Sequence, residues 1–248
     1  PLDPLDLRQA HPDLAAAYTV SEDKKTYTFV LRKNVLWHDG QPFTSKDVLF
    51  TLQTIQNQDV GSPLLVSFQG VILSAPDAYT VSLTLPEPFA PFLQTLTVGI
   101  LPEHKWFDVT PERMRLHKNN VQPIGTGPYM FKKLSKDDAG QVHTFELARW
   151  DKFYRSPPYI RDFSFRFFGE FEGPSGAIQA LRSQKADGLS FVPHDLRSKV
   201  ERKHIKLHTL QLPQYTALFF NEAKPILKDS KVREALSRAI DKERILRE

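Results

Sequence analysis

The first unambiguous pattern is a two-residue alternation. Over Thr26–Leu31, Tyr27, Phe29 and Leu31 fall on one face, which predicts a half-buried strand. The period then changes. Val48, Leu49, Leu52 and Ile55 recur at helical spacing, and Thr44 precedes them as an N-cap with Asp47 three residues on. That combination predicts a helix over Ser45–Gln56. Between the two elements, Trp37-His38-Asp39-Gly40 reads as a turn in which Asp39 bonds backbone amides. Residues 61–68 read as an uncharged connector. Residues 71–73, a Pro76-Asp77 turn, and the alternation of Tyr79, Val81, Leu83 and Leu85 predict a hairpin. A short helix is expected over 90–96, and Leu101-Pro102 interrupts any helix there. Residues 108–122 are polar and predict a loop with one short helix.

Near the middle lies Pro-Ile-Gly-Thr-Gly-Pro-Tyr, residues 123–129. Gly125 and Gly127 let the backbone turn with positive φ or approach another segment closely, and Pro128 fixes φ as a strand begins. Residues 129–134 and 143–149 predict a second hairpin across Asp137-Asp138-Ala139-Gly140. An aromatic loop covers 150–160. Phe163, Phe165 and Phe167 alternate along a further strand, and Gly173-Pro174-Ser175 opens a helix carrying Ala177, Ile178, Ala180 and Leu181. Strands are expected at 189–192, 205–210 and 216–220, with a polar helix over 194–203. Asp229 or Ser230 caps a final helix with Val232, Ala235, Leu236, Ala239 and Ile240 on one face. Strands and helices mix without strict alternation, so the fold class is α/β in the mixed α+β sense, with no repeat and a boundary before Pro123.

Composition adds mainly exclusions. With 248 residues, 40% hydrophobic and 25% charged, the chain is long enough to bury about three quarters of its extended surface. The 33 basic and 29 acidic residues are interspersed, which argues against nucleic acid as a partner despite the net charge of +4. The Arg202, Lys203, Lys206 cluster is read as a solvated face. With no cysteine there is no disulfide framework, thiolate nucleophile or cysteine-based metal site. No apolar run of about 18 residues is present, and the N-terminus lacks a signal-peptide pattern. Pro1 replaces an initiator Met, and residues 242–248 end inside a helical pattern, so a fragment is expected.

Candidate chemistry is sparse. The Gly-x-Gly at 125–127 leads into a strand and lacks the third glycine of a dinucleotide site. His204 and His208 share a strand face but read as surface histidines. His38-Asp39 is an acid–base pair or, more simply, a turn. A hydrolase using a carboxylate such as Asp39 or Asp187 is the alternative function. Trp106, Trp150, Tyr154 and Tyr215 are the aromatics placed to face a cleft. No catalytic residue, metal site or cofactor is assigned.

Several spaced blocks carry a resemblance. They are Leu14-Ala15-Ala16-Ala17-Tyr18, Lys25-Thr26-Tyr27-Thr28-Phe29-Val30-Leu31-Arg32, Trp37-His38-Asp39-Gly40-Gln41-Pro42-Phe43-Thr44, Asp47-Val48 and the central Pro-Ile-Gly-Thr-Gly-Pro-Tyr. Ala180-Leu181 leading to Ala186-Asp187 belongs with them, as does the block from Phe220-Asn221 through Val232-Arg233-Glu234-Ala235-Leu236 to Ala239-Ile240-Asp241-Lys242. Together they resemble the family 5 solute-binding proteins of peptide and nickel ABC importers. The resemblance implies a type II periplasmic binding fold of two lobes, with an extra subdomain on the first. Residues 1–122 would be that subdomain, 123–221 part of lobe one, and 222–248 the hinge and start of a largely missing lobe two.

It also implies a periplasmic or extracellular, membrane-associated monomer that encloses a small solute, by default a peptide, and presents it to the ABC permease without chemistry. Nickel chelates or oligosaccharides are the other ligands within the resemblance. The hinge falls near Asn221, and Tyr215, Phe219 and Asn221 are expected to border the cleft. Two stretches depart from the family's pattern. Asp23-Lys24-Lys25 replaces a glycine-containing turn, and Glu172-Gly173-Pro174-Ser175 precedes the lobe-one helix.

Overall fold

A computed structural model describes residues 10–202, 204–209 and 217–247. The chain divides between Lys206 and Leu207 into two compact units. The first begins with strands β1 (Ala15–Val20) and β2 (Thr26–Leu31), followed by helix α1 (Ser45–Gln56). Helix α2 (Leu65–Phe68), strands β3 (Ile72–Asp77) and β4 (Thr80–Thr84), and three single-turn helices follow: α3 (Phe92–Thr95), α4 (Glu103–Trp106) and α5 (Pro111–Met114). The four strands form one antiparallel sheet in the order β1-β2-β4-β3, with Phe29 opposite Val81 and Tyr27 opposite Leu83.

Directly paired residues of antiparallel strands share a face, so Tyr27, Phe29, Leu31, Val81 and Leu83 make one apolar surface. Helix α1 covers it. Trp37, Phe43, Leu52, Phe68 and Phe92 complete the core at 1% exposure or less, and Ile124 and Tyr154 pack onto its edge.

The strand and helix limits expected at Thr26–Leu31 and Ser45–Gln56 are those observed. Strand β1 is not anticipated, because Ala-Ala-Ala-Tyr-Thr-Val has no polar alternation; it pairs with β2 through the backbone ladder and a ring contact of Tyr18 with Phe29 at 5.7 Å. The hairpin turn falls at Asp77-Ala78-Tyr79 rather than Pro76-Asp77, because the Asp77 carboxylate accepts the Tyr79 amide at 2.8 Å and closes the turn there. The expected connector at 61–68 ends in α2.

The second sheet is built from β5 (Tyr129–Lys136), β6 (Val142–Arg149) and β7 (Asp162–Arg166), in that order and antiparallel. Phe145 stands opposite Phe165, and Leu147 opposite Phe163, so the expected alternation is realised in pairing. The burial implied by that alternation is not. Phe163, Phe165 and Phe167 remain 39%, 46% and 53% exposed, because no described element lies over their face.

Helices α6 (Ala177–Arg182) and α7 (Arg197–Val200) form a small separate cluster. Here the strand expectations for 189–192 and 205–210 fail over the described residues. Leu189, Val192 and Ile205 instead pack in irregular backbone against Ile178, Leu181 and Val200. An apolar alternation makes a strand only where a partner edge supplies hydrogen bonds, and no such edge is adjacent among the described residues. The helix expected over 194–203 is shorter, a 3₁₀ turn at His194–Leu196 running into α7.

The second unit contains α8 (Pro225–Lys228), α9 (Ser230–Ala239) and α10 (Lys242–Arg247). Asp229 caps α9 as expected, accepting the Lys231 amide at 2.9 Å. Residues 217–220 form no strand. The Ala235, Leu236, Ala239 face of α9 is exposed, with Leu236 at 43%.

Candidate functional site

The site is organised by the turn after β2. Gly40 takes φ +85°, its amide bonds the Trp37 carbonyl at 2.8 Å, and Trp37 in turn bonds Gln41. This tight return drives Trp37 into the core and projects His38 the other way, toward the Gly-Thr-Gly segment. The His38 amide donates to the Gly125 carbonyl at 2.9 Å, and the Gly125 amide donates to His38 Nδ1 at 3.1 Å. His38 Nε2 lies 3.0 Å from the Gly127 carbonyl, and the ring packs edge-on against Trp150 at 5.7 Å.

Neither Gly125 nor Gly127 has positive φ, so the first of the two roles expected for these glycines is not the one used. Close approach is. A Cβ on Gly125 would stand 3.4 Å from His38 Cε1. Burial of the ring pushes the His38 imidazole below its ordinary value, against the opposing pull of the Gly127 carbonyl and Asp39.

Asp39 behaves as the turn reading expects, accepting the Gln41 amide at 3.3 Å, and also reaches across to α4. His104 Nε2 is 2.8 Å and Lys105 Nζ 3.1 Å from its carboxylate. Partial burial opposes the charge, yet these hydrogen bonds outweigh it and hold Asp39 below the usual carboxylate range. Helix α4 is itself fixed by Asp47, 4% exposed, whose carboxylate accepts the Thr44 amide at 2.8 Å and the Glu103 amide at 2.9 Å. The Thr51 hydroxyl accepts the Leu101 amide at 2.8 Å. Residues 98–106 are thereby anchored to α1.

Two cavities flank this anchored segment. One, about 420 Å³, is apolar and lies against the inner sheet face, with Leu31, Phe43, Leu52 and Val81 in its wall. The other, about 400 Å³, is bounded by Val98–Ile100, the Gly125–Pro128 segment, Asp13 and Tyr154. The Tyr154 hydroxyl donates to Asp13 at 2.6 Å, and Arg155 pairs with the same carboxylate at 2.7 Å. Burial, then the hydrogen bond to Asp13, raises the Tyr154 phenol above its ordinary value. The polar side chains of this wall, Asp13, Tyr154 and Arg155, are thus bonded to one another. His38 and the 98–106 anchor had no signal in the sequence beyond the turn itself, since their partners lie far along the chain.

Tyr215, Phe219 and Asn221 are the residues expected to border the cleft. Tyr215 lies outside the described residues. Phe219 is 86% exposed, and the Asn221 side chain accepts the Ala223 amide at 3.0 Å, closing a local turn. Of the loop aromatics, Tyr154 lines the second cavity and Trp150 packs on His38. Trp106 is a correction: at 5% exposure it belongs to the interior, its ring tilted against His117 at 5.2 Å. His204 and His208 fall in irregular backbone rather than on a strand. Asp187, the other carboxylate of the hydrolase alternative, is exposed, while Asp39 is occupied by His104, Lys105 and a backbone amide.

Comparison with known proteins agrees with this architecture. A Brucella ovis protein named for peptide binding in an ABC transporter is 34% identical over 239 residues, covering 94% of this chain and 43% of the relative. The Escherichia coli dipeptide-binding protein is 28% identical, covering 95% of this chain and 46% of its own length. The crystal structure of NikZ from Campylobacter jejuni in complex with Ni(L-His) superposes with a TM-score of 0.79 at 30% identity, over 95% of this chain and 46% of that one. The chain thus spans less than half the length of these relatives. The pattern described as bacterial extracellular solute-binding proteins, family 5 Middle, matches residues 9–248, and the chain belongs to that family.

Proposed function

We propose that this chain is part of an extracytoplasmic solute-binding protein of an ABC importer. The protein captures a peptide or similar solute and delivers it, unchanged, to a membrane permease. The observation that carries this reading is the family match across residues 9–248, supported by the shared fold of the NikZ structure. Residues 1–122 are then the extra subdomain, 123–221 part of lobe one, and 222–248 the hinge and the start of lobe two. Tyr215, Phe219 and Asn221 border the cleft of the intact protein, which works as a monomer at the outer face of the membrane. Peptide is the favoured ligand because the Brucella and Escherichia relatives are named for it; a nickel–histidine chelate is the competitor suggested by NikZ.

Isothermal titration of the intact protein against dipeptides, longer peptides and nickel–histidine tests the reading. Saturable binding of one class, with the solute recovered unaltered, is the expected result. Turnover that collapses on Asp39→Asn or Asp187→Asn would overturn it in favour of a hydrolase.

A further inference from the structure

Both nitrogens of the His38 ring are committed to the same short stretch of backbone. The Gly125 amide points at Nδ1 from 3.1 Å, and the Gly127 carbonyl faces Nε2 at 3.0 Å. An amide only donates and a carbonyl only accepts, so the two partners together select one form of the ring: neutral, with its proton on Nε2. An imidazolium carries protons on both nitrogens. It keeps the Gly127 bond, loses the Gly125 bond, and sets one N–H against another across the 3.1 Å that separates Nδ1 from the Gly125 amide nitrogen. We propose that His38 is a pH-gated clasp on the Gly-Thr-Gly segment, closed while the ring is neutral and loosened at Gly125 when it is protonated.

The clasp spans the molecule's first unit. His38 follows β2 of the four-stranded sheet, and Gly125–Gly127 leads directly into β5 of the three-stranded sheet and borders the 400 Å³ cavity. Loosening it therefore changes how firmly the cavity wall is held. Few groups counteract the effect. Asp39 alone acts on the ring as a charge, and it is already engaged by His104 and Lys105. The Ile124–Pro128 segment and Trp150 carry no ionisable side chain, and Arg149 and Asp151, either side of Trp150, pair with each other at 2.7 Å.

The sign follows from the ring's environment. Burial lowers the folded-state affinity of His38 for a proton relative to the ordinary value of 6.5. The clasp's contribution to stability is complete above that value and is lost as pH falls through the lower, folded-state one.

The test is nitrogen-detected NMR of the histidine rings in the full chain between pH 8 and 5, with amide exchange at Gly125 followed in parallel. His38 is assigned through its contacts with the Gly125 amide and Trp150. Expected are the Nε2–H tautomer at pH 8, titration below 6.5, and a Gly125 protection factor, exchange corrected for its intrinsic base-catalysed rate, that falls with the same midpoint. His38→Asn retains an acceptor near Nδ1 but does not titrate. Its thermal midpoint should therefore fall less than that of the natural chain between pH 7 and pH 5.

An Nδ1–H tautomer, Gly125 exchange indifferent to His38 titration, or parallel pH profiles for the two proteins would overturn the proposal. If the variant does not fold, the ring measurements on the natural chain decide alone. None of these readouts involves a solute, so failure here leaves the transport reading standing, and failure of that reading leaves the clasp standing.

Discussion

Asp47 shows how much one side chain organises. Its buried carboxylate takes the amide of Thr44 at the start of α1 and the amide of Glu103 at the start of α4, so it closes one helix and docks another. Removing it leaves two part-buried amides without their acceptor, each costing on the order of 1–3 kcal/mol. Asp47→Ala is expected to lower unfolding free energy by about 3 kcal/mol in urea titration, well beyond the roughly 1 kcal/mol of a simple cap; a loss confined to the smaller figure would show that the Glu103 bond contributes nothing. Half of this role was legible in the sequence. The Thr44-x-x-Asp47 spacing announces a helix start, because capping is local. The Glu103 partner is 56 residues away and leaves no local trace. His38 repeats the lesson. Its turn was readable from Trp-His-Asp-Gly, and the glycines from 125–127, yet nothing in either stretch says that they meet.

At the level of elements, periodicity located what lies over a core and misjudged what does not. Strand β2 and helix α1 were placed correctly because each has an apolar face and a partner to bury it against. Residues 189–192 and 205–209 have apolar alternation without a neighbouring edge among the described residues, and Leu189, Val192 and Ile205 serve a small helix cluster instead. The hairpin joining β1 to β2 holds a cost at Asp23-Lys24-Lys25, where the family resemblance leads one to expect a glycine-containing turn. Lys24 occupies φ +59° there, its amide bonding the Ser21 carbonyl at 2.9 Å. A left-handed non-glycine residue costs about 1 kcal/mol, partly offset by the greater chain entropy of glycine when unfolded. Lys24→Gly is therefore expected to stabilise the chain by about 0.5 kcal/mol in the same urea titration, with an unchanged m-value; a destabilised variant would refute this account of the turn.

For the whole molecule, the exposed aromatic face of the three-stranded sheet and the exposed face of α9 belong with the observation that the chain covers 43% of the Brucella relative and 46% of NikZ. The transport reading accounts for a chain rich in core and loops whose one engaged carboxylate of interest, Asp39, is tied to His104 and Lys105 rather than poised for chemistry. Native mass spectrometry of the full-length protein, purified from its own source without added solute, tests that reading most directly. The account predicts a bound small mass, a ladder of peptides or a nickel chelate, that is released intact on unfolding. A protein that arrives empty and shows no thermal shift with peptides, nickel–histidine or oligosaccharides would contradict it.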